Sequence, residues 1–279
     1  MSVSRRDLIK LGGLGGLGII GAGLVTVPIS TVSAKSASQL GSGDMPRPYV
    51  ATFYRPPVLK PYSVTTDSDG AKVNNYRITM RQAAAQILPR KQTNILGFNG
   101  IFPGPTIELE QGTRSKVHMR NQLPKNHPTL GHLLATSTHL HGSASLPQYD
   151  GYASDVTLPG FYKDYFYPNF QPARTLWYHD HGVHFTAQNV YSGLAALYIM
   201  HDKTERALLP QGAFDVPVIM SDAMFAADGS LGYDDRDHSG LWGDVVLVNG
   251  RPWPVMKVQP RVYRFRILNA SVSRSYRKR

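Results

Sequence analysis
The stretch "TLWYHDHGVHF" (175–185) carries His179, His181 and His184 within six positions, beside Trp177. Its threonine, tryptophan and tyrosine favour an extended chain. On a strand, residues two apart share a face, so Trp177, His179 and His181 point one way while Tyr178 and Asp180 point the other. A second stretch, "STHLHGS" (137–143), repeats the spacing, with His139 and His141 on one face and Leu140 opposite. Each pair is followed by a glycine, Gly142 and Gly182. If the two strands are neighbours, four imidazoles converge, and imidazole ligates copper, zinc, iron and nickel. A single His-x-His is more often chance than a ligand pair, whereas two matched pairs are a strong signal. The plain alternative is four buried, hydrogen-bonded core histidines.

Working outward, the chain reads as β structure. "YRITM" (76–80), "TIELE" (106–110) and "KVHMRNQL" (116–123) alternate as half-buried strands do, and "NGIFPGP" (99–105) is a turn cluster. "SGLAALYIM" (192–200) is apolar on both faces and predicts a buried strand. Short strands separated by turns predict a β-sandwich or barrel over 72–203. Residues 35–71, rich in Ser, Gly and Pro towards their start and ending near "RPPVLKP", read as an extended arm. A second unit starts at 204, with strands at "DVPVIMSD" (215–222), "DVVLVNG" (244–250) and "RVYRFRILNA" (261–270). In the last, Tyr263, Phe265 and Ile267 fall on one face, and Val262, Arg264 and Arg266 on the other.

The net charge of +11 comes without a basic stripe interleaved with aromatics, so no nucleic-acid partner is expected. With no cysteine, the chain has no disulfide, no Cys-type zinc site and no copper–thiolate site of its own. The N-terminus reads as a targeting segment. "SRRDLIK" (4–10) holds a twin-arginine pair, residues 11–29 are uncharged and glycine-rich, and "VSA" (32–34) offers small residues before a cut after Ala34. Residues 1–34 thus predict a Tat-type signal peptide and an extracellular, envelope or periplasmic protein. A membrane anchor is the competing reading, because the uncharged run reaches spanning length.

"THLHG" followed by "LWYHDHGVHFTAQNVYSGLAALYIMHD" resembles the first two copper motifs of the multicopper oxidases, in the branch of bacterial laccases, spore-coat oxidases and bilirubin oxidases. "NGIFPGPTIELEQG" and "GDVVLVNGRPWPVMKVQPRVYRFRILNAS" are similar to further segments of that family, and the likeness runs from about 46 to 276. The resemblance implies an all-β, cupredoxin-like Greek-key β-sandwich over 72–203, with an incomplete second one over 204–279. It implies copper as cofactor, with O2 and a small reducing substrate as partners. His139 would bind the type 2 copper, and His141, His179 and His181 the type 3 pair. Asp150, in "YDGY", matches an acid linked to proton delivery, against the simpler reading of an Asp-Gly turn. His184 reads as structural, while His118, His127, His132, His201 and His238 have no motif and read as surface or capping residues. The methionines read as core packing.

The sequence also departs from the family. Its trinuclear cluster draws on four His-x-His motifs, and this chain holds two. The type 1 copper needs a cysteine, and none is present. Residues 204–279 are fewer than the ~100 of such a sandwich. These departures predict the N-terminal part of a multicopper oxidase, truncated before its type 1 site. Two alternatives stay open: a stand-alone copper- or zinc-binding sandwich, and a subunit whose partner chain supplies the missing third domain.

Overall fold
Residues 36–279 form one compact unit in a computed structural model, which describes residues 37–235 and 240–277. Residues 1–34, where a signal peptide is expected, and His238 lie outside the described residues. In chain order the strands are β1 (Ser63–Thr66), β2 (Lys72–Ala85), β3 (Thr93–Phe98), β4 (Ile107–Glu110), β5 (Arg114–Gln122), β6 (Thr138–His141), β7 (Tyr162–Tyr167), β8 (Arg174–Asp180) and β9 (Ala195–His201). They continue with β10 (Asp215–Phe225), β11 (Leu231–Gly232), β12 (Val245–Val248), β13 (Arg251–Pro252) and β14 (Arg264–Asn269). Two short helices interrupt them, α1 (Thr186–Ser192) between β8 and β9, and α2 (Lys203–Leu208) after β9.

The chain is mostly strand, in three sheets. The first runs β1-β2-β5-β7, with β3 also paired to β2, and the second runs β4-β9-β8-β6. Their inner faces make one core. Tyr76, Ile78, Val117 and Tyr165 come from the first sheet, and Ile107, Leu140, Tyr178 and Tyr198 from the second. Alternation decides which residues enter it. Leu140 is inside at 0% exposure, so its neighbours His139 and His141 must lie on the sheet's outer face. β9 is buried along its whole length, as its unbroken apolar run predicts.

The third sheet runs β11-β10-β12-β13, with β14 parallel to β10. It covers part of the second sheet's outer face, where Trp177, Leu197 and Ile199 meet Ile219, Leu268 and Ala270. A further core joins Ile87, Leu88, Ile95 and Tyr191 to Phe225, Val245 and Leu247. Apolar packing therefore runs across the expected boundary at 203/204.

The structure differs from the sequence reading in two places and completes it in a third. The segment read as an arm ends in β1, whose residues 63–66 pair antiparallel with β2, so the first sheet begins before residue 72. Helix α1 was not expected; its sequence TAQNVYS has low helix propensity, and tertiary contacts through buried Asn189, Tyr191 and Ser192 hold it. In β14 the expected alternation holds, and it is Arg266 that turns inward. Arg266 is buried at 3%, while Phe265 and Ile267 are 48% and 40% exposed.

Candidate metal centre
Register brings the two histidine motifs together. β6 and β8 are antiparallel neighbours, with His139 opposite His179 and His141 opposite Trp177. His139, His141 and His179 each present a ring nitrogen, all within 4.8 Å of one another. His181, just past the end of β8, lies outside that group but close, its ring centroid 5.2 Å from His139 and 5.9 Å from His179. The uncovered end of the second sheet's outer face is thus a cluster of four imidazoles, two of them (His141 and His181) exposed.

Two of these rings are held in a defined tautomer. His139 Nδ1 donates to the backbone carbonyl of Asp150, and His179 Nδ1 donates to that of Asp180 at 2.7 Å. Both bonds leave Nε2 with its lone pair free, the form a metal needs. His179 Nε2 is buried and has no hydrogen-bond partner among the described residues. An orphaned buried nitrogen costs about 1–3 kcal/mol, so its position fits a ligand better than a core histidine. Burial pushes the His179 imidazolium down to about 4, opposed by the Asp180 carbonyl and helped by the neighbouring imidazoles. Burial likewise lowers His141, with His139 and His181 adding to it. These rings stay neutral at pH 7 and are ready to ligate. Trp177 stacks on His179 at 3.9 Å between ring centroids and fixes the plane of that ring. The donor set therefore fits copper, as it fits other imidazole-loving ions.

The support around the rings is specific. Asp180 stands between the two ligands of its motif with its carboxylate on the opposite side. It accepts from Ser137 N at 2.8 Å, Gly182 N at 3.2 Å and Asn189 Nδ2 at 2.8 Å. One buried carboxylate thus ties the start of β6, the end of β8 and α1 together. Burial raises its pKa against those three hydrogen bonds. Nothing in the sequence marked Asp180 or Asn189, because their partners are distant along the chain.

Asp150 follows a turn of 3-10 helix, and its carbonyl, not its carboxylate, makes the contact to His139. The carboxylate Oδ1 stands 3.7 Å from His139 Nδ1 and is about half exposed. The turn requires Gly151, whose φ is +76° and where a Cβ would lie 2.2 Å from the Thr138 carbonyl oxygen. Both readings of "YDGY" thus find a counterpart, a tight Asp-Gly turn and an acid beside a ligand.

Other histidines depart from the surface reading. His127 is buried, with Nε2 2.9 Å from Ser192 Oγ, and burial lowers it to about 4. His201 is buried and meets Glu205 at 2.9 Å. His132 stacks on Phe185 and reaches Asn189 Oδ1 at 3.1 Å. His118 pairs with Asp164 at 2.8 Å, and His184 is exposed with φ +68°. The grouping His201, Glu205 and Asp215 has metal-like donors, but the guanidinium groups of Arg264 and Arg266 already fill it.

A profile of the multicopper oxidase family matches residues 79–205. The chain is 42% identical over 226 residues to a bilirubin oxidase from Albifimbria verrucaria, covering 79% of this chain and 38% of the relative. It is 36% identical over 258 residues to a laccase from Bacillus subtilis, covering 79% of this chain and 49% of that one. Among solved structures, a laccase from Pediococcus acidilactici superposes with a TM-score of 0.71 at 31% identity, over 84% of this chain and 48% of that one. The chain spans less than half the length of each of these relatives. Residues 79–205, with both histidine motifs, are a cupredoxin-like domain of the multicopper oxidase family, whose members use copper to oxidise reducing substrates with O2.

Proposed function
We propose that this chain is the N-terminal part of a laccase-like multicopper oxidase, and that His139, His141, His179 and His181 hold copper of its oxygen-reducing centre. The observation that carries the reading is the orphaned, buried Nε2 of His179 within a group of three convergent imidazoles. Bound copper supplies the one-electron chemistry that lets dioxygen accept electrons. The protein's part is to bring four imidazoles together, with the Asp150 and Asp180 carbonyls fixing the tautomers of His139 and His179 and Trp177 fixing the plane of His179. The Asp150 carboxylate, half exposed and 3.7 Å from His139, can pass protons between water and the site.

The same reading gives the chain no electron-entry site of its own, because a type 1 copper needs a thiolate and the chain has no cysteine. The test is to load the purified chain with copper and record metal content, visible spectrum and oxygen uptake with a phenol. Bound copper without an intense blue band and without sustained oxygen uptake is expected. Steady oxygen consumption by the pure chain, or no copper uptake at all, would overturn it.

Export by the twin-arginine route belongs to the proposal and rests on Arg5, Arg6 and the uncharged run behind them. Replacing both arginines by lysine is expected to retain the protein in the cytoplasm. Unchanged export of that variant removes the Tat assignment. Among the described residues no helix is long and apolar enough to cross a membrane.

A further inference from the structure
A second feature lies apart from the histidine cluster. Between the segment 43–54 that precedes β1 and the loop 86–90 that follows β2 opens a cleft of about 670 Å³, within the range of small-molecule sites. Its walls include Met45, Val50, Phe53, Ile87 and Leu88. Val50 is 66% exposed, and Tyr49 beside it 76%, an unusual exposure for large apolar side chains at a cleft.

The charge of the lining is one-sided. Arg47, Arg90 and Arg251 line the cleft, and no Asp or Glu does so among the described residues. Arg90 is partly neutralised from outside by Asp44, at 3.2 Å, which also meets Lys91. Arg251 spends one donor on the Gln86 carbonyl and stands 5.3 Å from the Tyr54 ring centroid, keeping other N–H groups free. Arg47 is exposed and makes no hydrogen bond or ion pair among the described residues. Guanidinium forks pair bidentately with planar oxyanions, and stacked aromatic and aliphatic walls favour an apolar body.

We propose that this cleft binds a small organic anion with an apolar body, such as an aryl carboxylate or sulfonate, its charge at Arg47 and Arg251 and its body against Met45, Val50 and Phe53. The site is independent of copper and of the oxidase reading.

The probe is 8-anilino-1-naphthalenesulfonate, titrated into the full chain by fluorescence and calorimetry, beside its uncharged counterpart N-phenyl-1-naphthylamine. One equivalent of the sulfonate is expected to bind, and more tightly than the neutral compound. Arg47→Glu is expected to weaken it about tenfold, the loss of one charge-assisted contact. Arg120→Glu makes the same charge change at an exposed β5 position that does not line the cleft, and is expected to leave binding unchanged. Equal losses in the two variants would reduce the effect to net charge and overturn the site. So would binding indifferent to Arg47→Glu, several equivalents per chain, or equal affinity for the neutral compound.

Discussion

The double variant His139→Ala, His179→Phe is expected to lose copper binding by more than about a hundredfold while the apo chain stays folded. Removing only an outer partner of a ligand typically costs about 10–100-fold in metal affinity, and here two of the convergent imidazoles themselves are removed. Folding should survive because of what His179 contributes in the absence of metal. Its ring stacks on Trp177, which phenylalanine can replace. Its Nδ1 bond to the Asp180 carbonyl is lost, at about 1 kcal/mol. Its unpaired buried Nε2 is lost too, returning about 1–3 kcal/mol. His139→Ala also loses the bond to the Asp150 carbonyl, at about 1 kcal/mol, so the thermal midpoint without copper should stay close to the parent's. Adding copper at a hundred times the parent's dissociation constant should stabilise the parent chain by about 2.7 kcal/mol and the variant by less than about 0.4 kcal/mol. Tight copper uptake by the double variant would mean the cluster is not the site. A large loss of apo stability would mean these histidines are core residues.

The candidate site was largely legible because its information is local. Two His-x-His pairs on strands need only the two-residue period to share a face, and β6 and β8 carry them so. Even the tilt towards one sheet face follows from Leu140 and Tyr178, whose burial opposite the ligands fixes the register. What the pattern could not give is the support. Asp180 reaches Ser137 and Asn189, and Asp150 acts on His139 through a carbonyl that has no side-chain signature. His181 lies past the strand end, where strict alternation no longer applies, and it falls outside the group of ring nitrogens that its three partners form.

The fold was legible where side-chain patterning and burial agree, and illegible where polar groups satisfy one another inside. "TIELE", "KVHMRNQL" and "SGLAALYIM" are strands β4, β5 and β9. His127 and His201 read as surface or capping groups because no motif claims them, yet both are buried: His127 Nε2 meets Ser192 while its Nδ1 accepts from Leu130 N, and His201 meets Glu205 and Arg266. Helix α1 has neither a capping side chain nor good propensity, and it is held by contacts that close only in the folded chain. β14 shows the same limit: its alternation separates two faces without saying which is buried, and it is Arg266 that turns inward.

The buried Arg266 carries the second large effect. Arg266→Ala is expected to destabilise the chain by about 3–5 kcal/mol at neutral pH, the usual result of removing one partner of a buried ion pair. Arg266 donates to both oxygens of Asp215, at 2.7 and 2.6 Å, to Glu205 at 2.7 Å and to Thr175 at 3.1 Å. It thereby fastens β14 to β8, α2 and β10. Burial alone would raise the Glu205 pKa, but hydrogen bonds from Arg266, Arg264 and His201 outweigh it and hold the carboxyl below its usual 4.5. A depressed carboxylate stabilises the fold above its unfolded pKa, and that contribution fades as pH falls through the folded one. In Arg266→Ala the Glu205 carboxylate keeps only Arg264 and His201, so it should take up a proton at higher pH than in the parent. Protonation relieves the uncompensated charge. The gap between variant and parent in urea unfolding should accordingly be widest near pH 7 and narrow towards pH 4. Arg266→Met combined with Glu205→Gln and Asp215→Asn should recover much of the loss, since the buried guanidinium and both acids go at once and the Arg264 that stays is partly exposed. A gap that is the same at pH 7 and pH 4, and that the triple variant does not close, would assign the effect to lost packing volume and not to the buried charges.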